Sequence, residues 1–306
     1  MISVIIPTYN PNKERLHKVL ACLSGQTFPQ KDWELIIIDN NSSNQVAGQM
    51  DLSWHKQVKL IQEPKQGLTY ARCAGIKEAI GNIIIMVDDD NLLESSYLQQ
   101  VDHIFKQHPK LGAIGGKSLP LFEVTPAPFA SSFLPILALR DLGNESIIES
   151  FNGKFPKFAP IGAGMSFRTV SIAGYLSKVE SADYTLSDRK GKSLSSSGDN
   201  DMVMEILKAG WDVGYFPQLQ LQHLIPASRT SKAYLAKLNF GIRKSWIQFA
   251  VSHDICEWQS IHPVTVPFRK LRSYIKYRAW KSEQAYIHWM GSCGQFEGLA
   301  LYKNKK

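Results

Sequence analysis

Ile83-Ile84-Ile85-Met86-Val87-Asp88-Asp89-Asp90-Asn91 sets a short, β-branched, unbroken apolar run against three consecutive carboxylates. The run reads as a buried central strand, and the carboxylates arrive where that strand ends. Adjacent anions repel and are costly to desolvate, so the triplet needs a compensating partner. A hard divalent cation held by oxygen ligands would serve, and such sites commonly hold substrate phosphates too. The carboxyl end of a strand is also where open α/β sheets bind ligands. On these residues alone a second reading stays open: a solvated acidic turn ahead of a helix opening at Glu94-Ser95-Ser96.

The flanking sequence repeats one cadence. Ile2 to Ile6 is a first strand, and Pro7-Thr8-Tyr9-Asn10-Pro11 is a turn in which two prolines fix φ and remove donors. A helix follows with Leu16, Val19, Leu20 and Leu23 on one face. Trp33 to Ile38 is a strand ending at Asp39, and the polar run Asn40 to Asn44 leads into a short helix. Val58 to Ile61 is a third strand, and Leu68 to Ala79 is helical. Beyond the triplet, Tyr97 to His108 is helical and Ala113 begins a fifth strand. Alternation of this kind predicts an α/β fold of βαβ units, Rossmann-like, with a mostly parallel central sheet and helices on both faces.

The texture changes at Pro120. Prolines recur at 120, 126, 128, 135, 156 and 160 without clean periodicity, a long interruption for a compact domain. Short helical pieces are expected over 131–139. Leu176 to Ser197 is polar and reads as surface, whereas Met202 to Ala209 is a helix stopped by Gly210. Val213 to Phe216 and Leu219 to Leu221 read as short strands leading to His223. Past Ser228 the chain is basic, aromatic and mostly helical. The expected organisation is an α/β domain over 1–225, its nucleotide-binding half 1–116 and its acceptor-side half 117–225, with a helical segment over 226–306.

With 44% hydrophobic and 20% charged residues, the 306-residue chain is neither disordered nor collagenous. No apolar run is long enough to span a bilayer, and the amino terminus enters a strand without a secretory pattern, so a cytoplasmic protein is expected. Cys22, Cys73, Cys256 and Cys293 lack paired metal spacing and read as free thiols in a reducing compartment. From Pro226 onward fourteen Lys or Arg face four Asp or Glu, a net +10, so with +8 overall the preceding chain carries −2. An anionic membrane surface is therefore one expected partner of the carboxyl-terminal segment. Its apolar residues equally suit helices packed on the domain with a solvated basic face.

Six stretches, in order, resemble the inverting nucleotide-sugar glycosyltransferases of family 2, which have the GT-A fold. They are Val4 to Asn10, Ile37 to Ser43, Gly67 to Gly75 with Ala71-Arg72 inside, Asp88-Asp89-Asp90, Gly162 to Arg168, and Ser197 to Met202 followed by Lys208-Ala209-Gly210-Trp211. The resemblance covers roughly residues 1 to 225, and its weight lies in order and spacing, not in any single motif. It implies a nucleotide site formed by Pro7, Thr8, Tyr9, Asn10, Asp39, Arg72, Asp88 and Asp89. Asp39 would accept a base N–H, Thr8 and Asn10 would hold base and ribose, and Tyr9 would pack on the base. Asp88 would meet the ribose hydroxyls, with Arg72 adding a charge-assisted hydrogen bond. Asp90 and His223 would bind Mg²⁺ or Mn²⁺, and Asp199 would be the general base. The sequence departs from the family at Gly198, where Glu is usual, and at Cys73, where many relatives have Asn. The implied partners are a nucleotide-sugar donor, UDP-sugar favoured, and a saccharide or lipid-linked saccharide acceptor. Surface polysaccharide or glycolipid synthesis is the implied setting.

Other classes fit less well. A nucleotidyltransferase wants a glycine-rich basic loop after the first strand, and a dinucleotide oxidoreductase wants Gly-x-Gly-x-x-Gly there; Pro7-Thr8-Tyr9-Asn10 is neither. A non-catalytic nucleotide- or sugar-binding protein of the same fold stays open, and no nucleic-acid partner is expected.

Overall fold

A computed structural model describes residues 1–43, 50–181, 184 and 197–302. The expected short helix after Asn44 and most of the Ser-rich stretch before Ser197 lie outside the described residues. The chain forms two compact units. One comprises Met1–Leu121, Ala138–Tyr184 and Asp199–Leu224; the other includes Phe122–Leu137 and the chain from Ile225 onward.

The sheet begins with four parallel strands in the order β3 (Val58–Gln62), β2 (Trp33–Asp39), β1 (Ile2–Thr8), β4 (Ile83–Met86). Helices α1 (Lys13–Ser24) and α2 (Leu68–Glu78) make the crossovers β1–β2 and β3–β4. Every residue of β1 is buried, as a strand covered on both faces requires. Alternate side chains enter two cores. Ile2, Val4 and Ile6 pack with Leu16, Val19 and Leu20 of α1 and with Val101 and Ile104 of α3 (Tyr97–Gln107). Ile5, Ile36 and Ile84 pack with Ala71 and Ile76 of α2 and with Met202 and Val203 of α5 (Gly198–Lys208).

Past β4 the sheet continues through β8 (Ser166–Arg168), β6 (Leu111–Phe122), β9 (Asp212–Ile225) and β5 (Asn91–Leu93), while β7 (Ile147–Glu149) pairs β9. These additions are antiparallel at β4–β8, β6–β8, β5–β9 and β7–β9. A parallel neighbour needs a long crossover connection, usually a helix, and the Pro-rich chain after β6 supplies a 3₁₀ helix at Pro128–Leu137 instead. The two short strands expected before His223 are one strand, β9, which carries Pro217 within it. Gly116 of β6 permits the approach of β9: a Cβ there would lie 2.0 Å from the Leu219 carbonyl oxygen. Helix α4 (Ala173–Glu180) follows β8. All four cysteines are free. Burial pushes the Cys73 thiol up to about 11, which keeps it protonated and inert.

At the amino-terminal end of the parallel strands, buried Glu34 gathers three elements. It accepts from the Ser3 hydroxyl at 2.6 Å and the Ile80 N–H at 2.7 Å, and it pairs with Lys59 at 3.1 Å. Ser3 Oγ in turn accepts the Gly81 N–H at 2.9 Å, tying β1 to the turn before β4. Burial acts to raise the Glu34 carboxyl, but the Ser3, Ile80 and Lys59 contacts together hold it below the usual carboxylate range.

In the second unit, α6 (Lys232–Ser252) and α8 (Glu283–Leu301) pack through glycine. A Cβ on Gly294 would lie 2.1 Å from the Phe240 carbonyl oxygen, and one on Gly298 would lie 3.0 Å from that of Lys244. Asn239 donates to the Ile287 carbonyl at 3.0 Å across the same contact. Helix α7 (Val266–Tyr277) joins this pair. Among the described residues, no helix is long and apolar enough to cross a membrane.

Two outcomes follow for stability. A carboxylate with a depressed folded pKa contributes stability above its unfolded value of about 4.3, and that contribution is lost as pH falls through the folded value. Glu34→Gln is therefore expected to destabilise at neutral pH by about 1 kcal/mol, with the difference from wild type vanishing in acid; chemical denaturation against pH measures it. Gly116→Ala is expected to cost at least about 1–3 kcal/mol, because a backbone carbonyl must move. Gly143→Ala, at φ +91° with open space around it, should cost only about 1 kcal/mol. Equal urea midpoints for these two variants would contradict the close approach at Gly116.

Candidate active site

The parallel register sets Thr8 and Asp39 abreast at the carboxyl ends of β1 and β2. β1 pairs β4 on its other side, so the loop after β4 arrives beside Thr8. The buried Thr8 hydroxyl donates to Asp89 Oδ2 at 2.6 Å. Pro7 is buried within β1, and Tyr9 is 44% exposed at the rim. Asn10 adopts φ +48°, a left-handed conformation that asparagine tolerates. Its N–H donates to Ser42 Oγ at 2.8 Å, and its Oδ1 accepts from Ser43 N–H and Oγ, each at 2.9 Å. Asn10 thus fastens the β1 turn to the β2 loop. Asp39 Oδ1 accepts the Ser42 N–H at 3.0 Å within that loop. Asn40 secures the other side: its Nδ2 donates to the Glu63 and Lys65 carbonyls, and its Oδ1 accepts the Gly67 N–H at 2.7 Å.

Each carboxylate of the triplet has a different neighbour. Asp88, about a third exposed, lies 4.0 Å from Nη2 of Arg72, which α2 delivers almost fully buried. Asp89 is held by Thr8. Asp90 is buried; its Oδ1 lies 3.4 Å from Nε2 of buried His223 and accepts from Asn91 Nδ2 at 3.3 Å. The sheet explains this meeting. β5 begins at Asn91, whose partner across the ladder is His223, and the Leu224 N–H donates to the Asp90 carbonyl at 2.9 Å. The triplet is followed by a strand before the helix, so it does not cap a helix.

Asp199 lies in the first turn of α5, half-buried. Its Oδ2 accepts the Gly162 N–H at 3.0 Å and its Oδ1 the Asn200 N–H at 3.0 Å. A Cβ on Gly162 would sit 2.7 Å from Arg72 Nη2 and 3.5 Å from Asp199 Oδ2. Arg72 is therefore near both Asp88 and Asp199, one guanidinium serving two carboxylates. The loop that holds Asp199 is itself fixed at Gly164, φ +73°, whose carbonyl accepts from the buried Tyr97 hydroxyl at 2.7 Å. Asp201 lies in the same first turn. It is fully buried and pairs with Lys178 of α4 at 2.5 Å, with Glu205 joining at 2.9 Å.

Four contributors were not assigned from sequence. Asn91 supports Asp90, Asn40 joins two loops, and the Gly162 N–H orients Asp199. The fourth, Arg140, donates to the Ala159 carbonyl and lies close enough to Asp199 that the carboxylate favours its charged form against the opposing effect of burial. Asn91 and Asn40 each follow a strand-end carboxylate in sequence, a usable signal. Arg140 lies in the Pro-rich stretch, where no pattern marks it.

Known proteins are similar to this chain in sequence and in fold. Staphylococcus aureus TarP, a poly(ribitol-phosphate) β-N-acetylglucosaminyltransferase, is 24% identical over 284 residues, 84% of this chain and 85% of TarP. The Haloferax volcanii glycosyltransferase AglE is 31% identical over 102 residues, 32% of this chain, so the match spans only a third (33%) of AglE. The crystal structure of S. aureus TarS 1–349 in complex with UDP-GlcNAc superposes with a TM-score of 0.55 at 13% identity, covering 98% of this chain and 90% of that one. The Pyrobaculum calidifontis mannosyltransferase PcManGT, solved with GDP-Man and Mn²⁺, gives 0.54 at 16% identity, covering 96% and 72%. At these identities the superpositions speak for the fold, which is GT-A. Residues 3–178, more than half of the chain, match Glycosyl transferase family 2, and the chain belongs to that family of glycosyltransferases.

Proposed function

We propose that this chain moves a sugar from a nucleotide-sugar donor, UDP-sugar favoured, to a saccharide or lipid-linked saccharide hydroxyl, with inversion at the anomeric carbon. One observation carries the reading. The strand-end triplet and the Thr8 turn lie at the carboxyl ends of β4 and β1, Arg72 reaches Asp88, and Gly162 lies against both Arg72 and Asp199. TarS bound to UDP-GlcNAc and TarP's polymer-directed transfer support the choice of donor and of acceptor class. Residues 1–225 are assigned to transfer, 1–116 to the donor and 117–225 to the acceptor side.

In this reading the donor's nucleoside lies over Pro7 to Asn10, with Asp39 accepting from the base and Tyr9, already exposed, packing on it. Thr8 and Asn10 keep the turn in shape through their bonds to Asp89 and the β2 loop. Asp88 meets the ribose. The Asp90 carboxylate and the His223 imidazole, 3.4 Å apart, form an oxygen-and-nitrogen donor set that fits Mn²⁺ and, less closely, Mg²⁺. A divalent ion held there would supply charge to the diphosphate leaving group; the Mn²⁺ in PcManGT supports it. Arg72 adds positive charge on the same side. Asp199 takes the proton of the attacking hydroxyl. Its two oxygens accept from Gly162 and Asn200, which keeps the carboxylate aimed. A Glu before Asp199, usual in the family, is replaced by Gly198, so orientation falls to these two N–H groups.

Asp199→Asn preserves shape and removes the base. Transfer, followed as nucleoside diphosphate release with acceptor, is expected to fall by about 10²- to 10⁴-fold, with donor affinity by calorimetry unchanged. Undiminished turnover would move the base elsewhere. Asp90→Asn should leave the fold intact, since the Asn91 contact can persist. It should abolish the Mn²⁺ dependence of nucleoside diphosphate binding, by at least the roughly 10- to 100-fold known for lost outer-sphere partners. Binding that keeps its full Mn²⁺ response would refute Asp90 as a ligand.

A further inference from the structure

Helix α7 is oriented against the usual rule. A helix on a domain normally turns its apolar stripe inward. In α7 the inward face carries Ser273, which is buried, Tyr274, whose ring meets Trp289 edge-on at 4.9 Å, and Lys270. The Lys270 carbonyl accepts from Trp289 Nε1 at 3.0 Å, and its ammonium pairs with Glu297 at 2.7 Å. The large apolar side chains point out: Phe268 is 72% exposed, Leu271 60% and Ile275 58%, and Val264, in the 3₁₀ turn Pro263–Thr265 just before the helix, 67%. Their spacing of four, three and four places them in one line along the helix. Trp280, just past the helix end, is 56% exposed.

Charge flanks this ridge on one side. Arg269, Arg272 and Lys276 follow one another at helical spacing and line a groove of about 510 Å³ with Phe268, Ser273 and Phe296. From Pro263 to Ser282 there are six Lys or Arg and no Asp or Glu. An apolar ridge beside a purely cationic flank matches the layered chemistry of a bilayer surface, acyl chains beneath anionic phosphates. A second copy of this chain would present the same cations to one another, which disfavours self-pairing through this face.

We propose that α7 is a membrane-docking helix. Phe268, Leu271, Ile275 and Trp280 enter the headgroup boundary of an anionic bilayer, and Arg269, Arg272 and Lys276 pair with lipid phosphates. The attachment is peripheral and reversible. It stands apart from the reading of the active site, because none of these residues belongs to that site.

The full chain is sedimented with phosphatidylcholine vesicles, with and without phosphatidylglycerol, at low and high salt. Wild type is expected to pellet with the anionic vesicles and to be released in part by salt. The Arg269→Ser/Arg272→Ser/Lys276→Ser variant should lose at least about tenfold in partitioning. The Phe268→Ser/Leu271→Ser/Ile275→Ser variant should lose the salt-resistant fraction. All six substituted side chains lie on the surface, and unchanged circular dichroism and nucleoside diphosphate release would confirm intact variants. Blue shift of Trp fluorescence on anionic vesicles, lost in Trp280→Ser, gives a second readout. Recovery of wild type in the supernatant under all four conditions would overturn the proposal. So would vesicle binding equal in wild type and both triple variants, or light scattering that shows a dimer abolished by the apolar substitutions.

Discussion

Three consecutive carboxylates at the end of a fully buried strand are the constraint around which this molecule is arranged. They cannot be left to repel one another in a partly desolvated position. The fold disperses them to three directions. Asp88 faces Arg72 from α2, Asp89 takes the Thr8 hydroxyl from β1, and Asp90 turns inward to His223 from β9. Each partner comes from a different part of the chain, so satisfying the triplet also requires the first strand, the second crossover helix and the last strand to be in place. Local electrostatics and global topology are the same requirement here.

Arg72 extends that logic from the triplet toward Asp199. A guanidinium is charged at every accessible pH and presents a planar fork. Buried as it is, it is tolerable only among anions, and Asp88 and the region of Asp199 provide them. Gly162 makes the space. Asp199 is consequently held in place by the Gly162 and Asn200 N–H groups, with Arg72 and Arg140 nearby.

The parallel half of the sheet was legible because strands covered on both faces are apolar throughout, and Ile2–Ile6, Trp33–Ile38 and Ile83–Met86 have no other use for such runs. The carboxyl-end residues, Thr8, Asp39 and the triplet, were legible for the same reason: they terminate those runs. The antiparallel strands were harder. β8 has three residues, and β9 contains Pro217, which split it into two short predicted pieces. The sequence marks Asp201 only as a carboxylate in a first helical turn, a position that usually faces the helix end. Only the three-dimensional approach of Lys178 shows that it is buried with an ion-pair partner. Arg140 left no trace, since nothing periodic surrounds it. The outward stripe of α7 could not be read from spacing, which gives the width of an apolar face but not what covers it.

The glycine seam between α6 and α8 has a calorimetric consequence. Where Gly294 and Gly298 lie against the Phe240 and Lys244 carbonyls, two backbones meet in place of two layers of side chains. Such a contact gains dispersion and local hydrogen bonding but removes little hydrocarbon from water per turn of helix. The heat-capacity increment of unfolding follows exposed apolar surface and is offset by exposed peptide. The seam at Gly294 and Gly298 should therefore contribute a smaller increment per residue than the Ile- and Val-filled sheet.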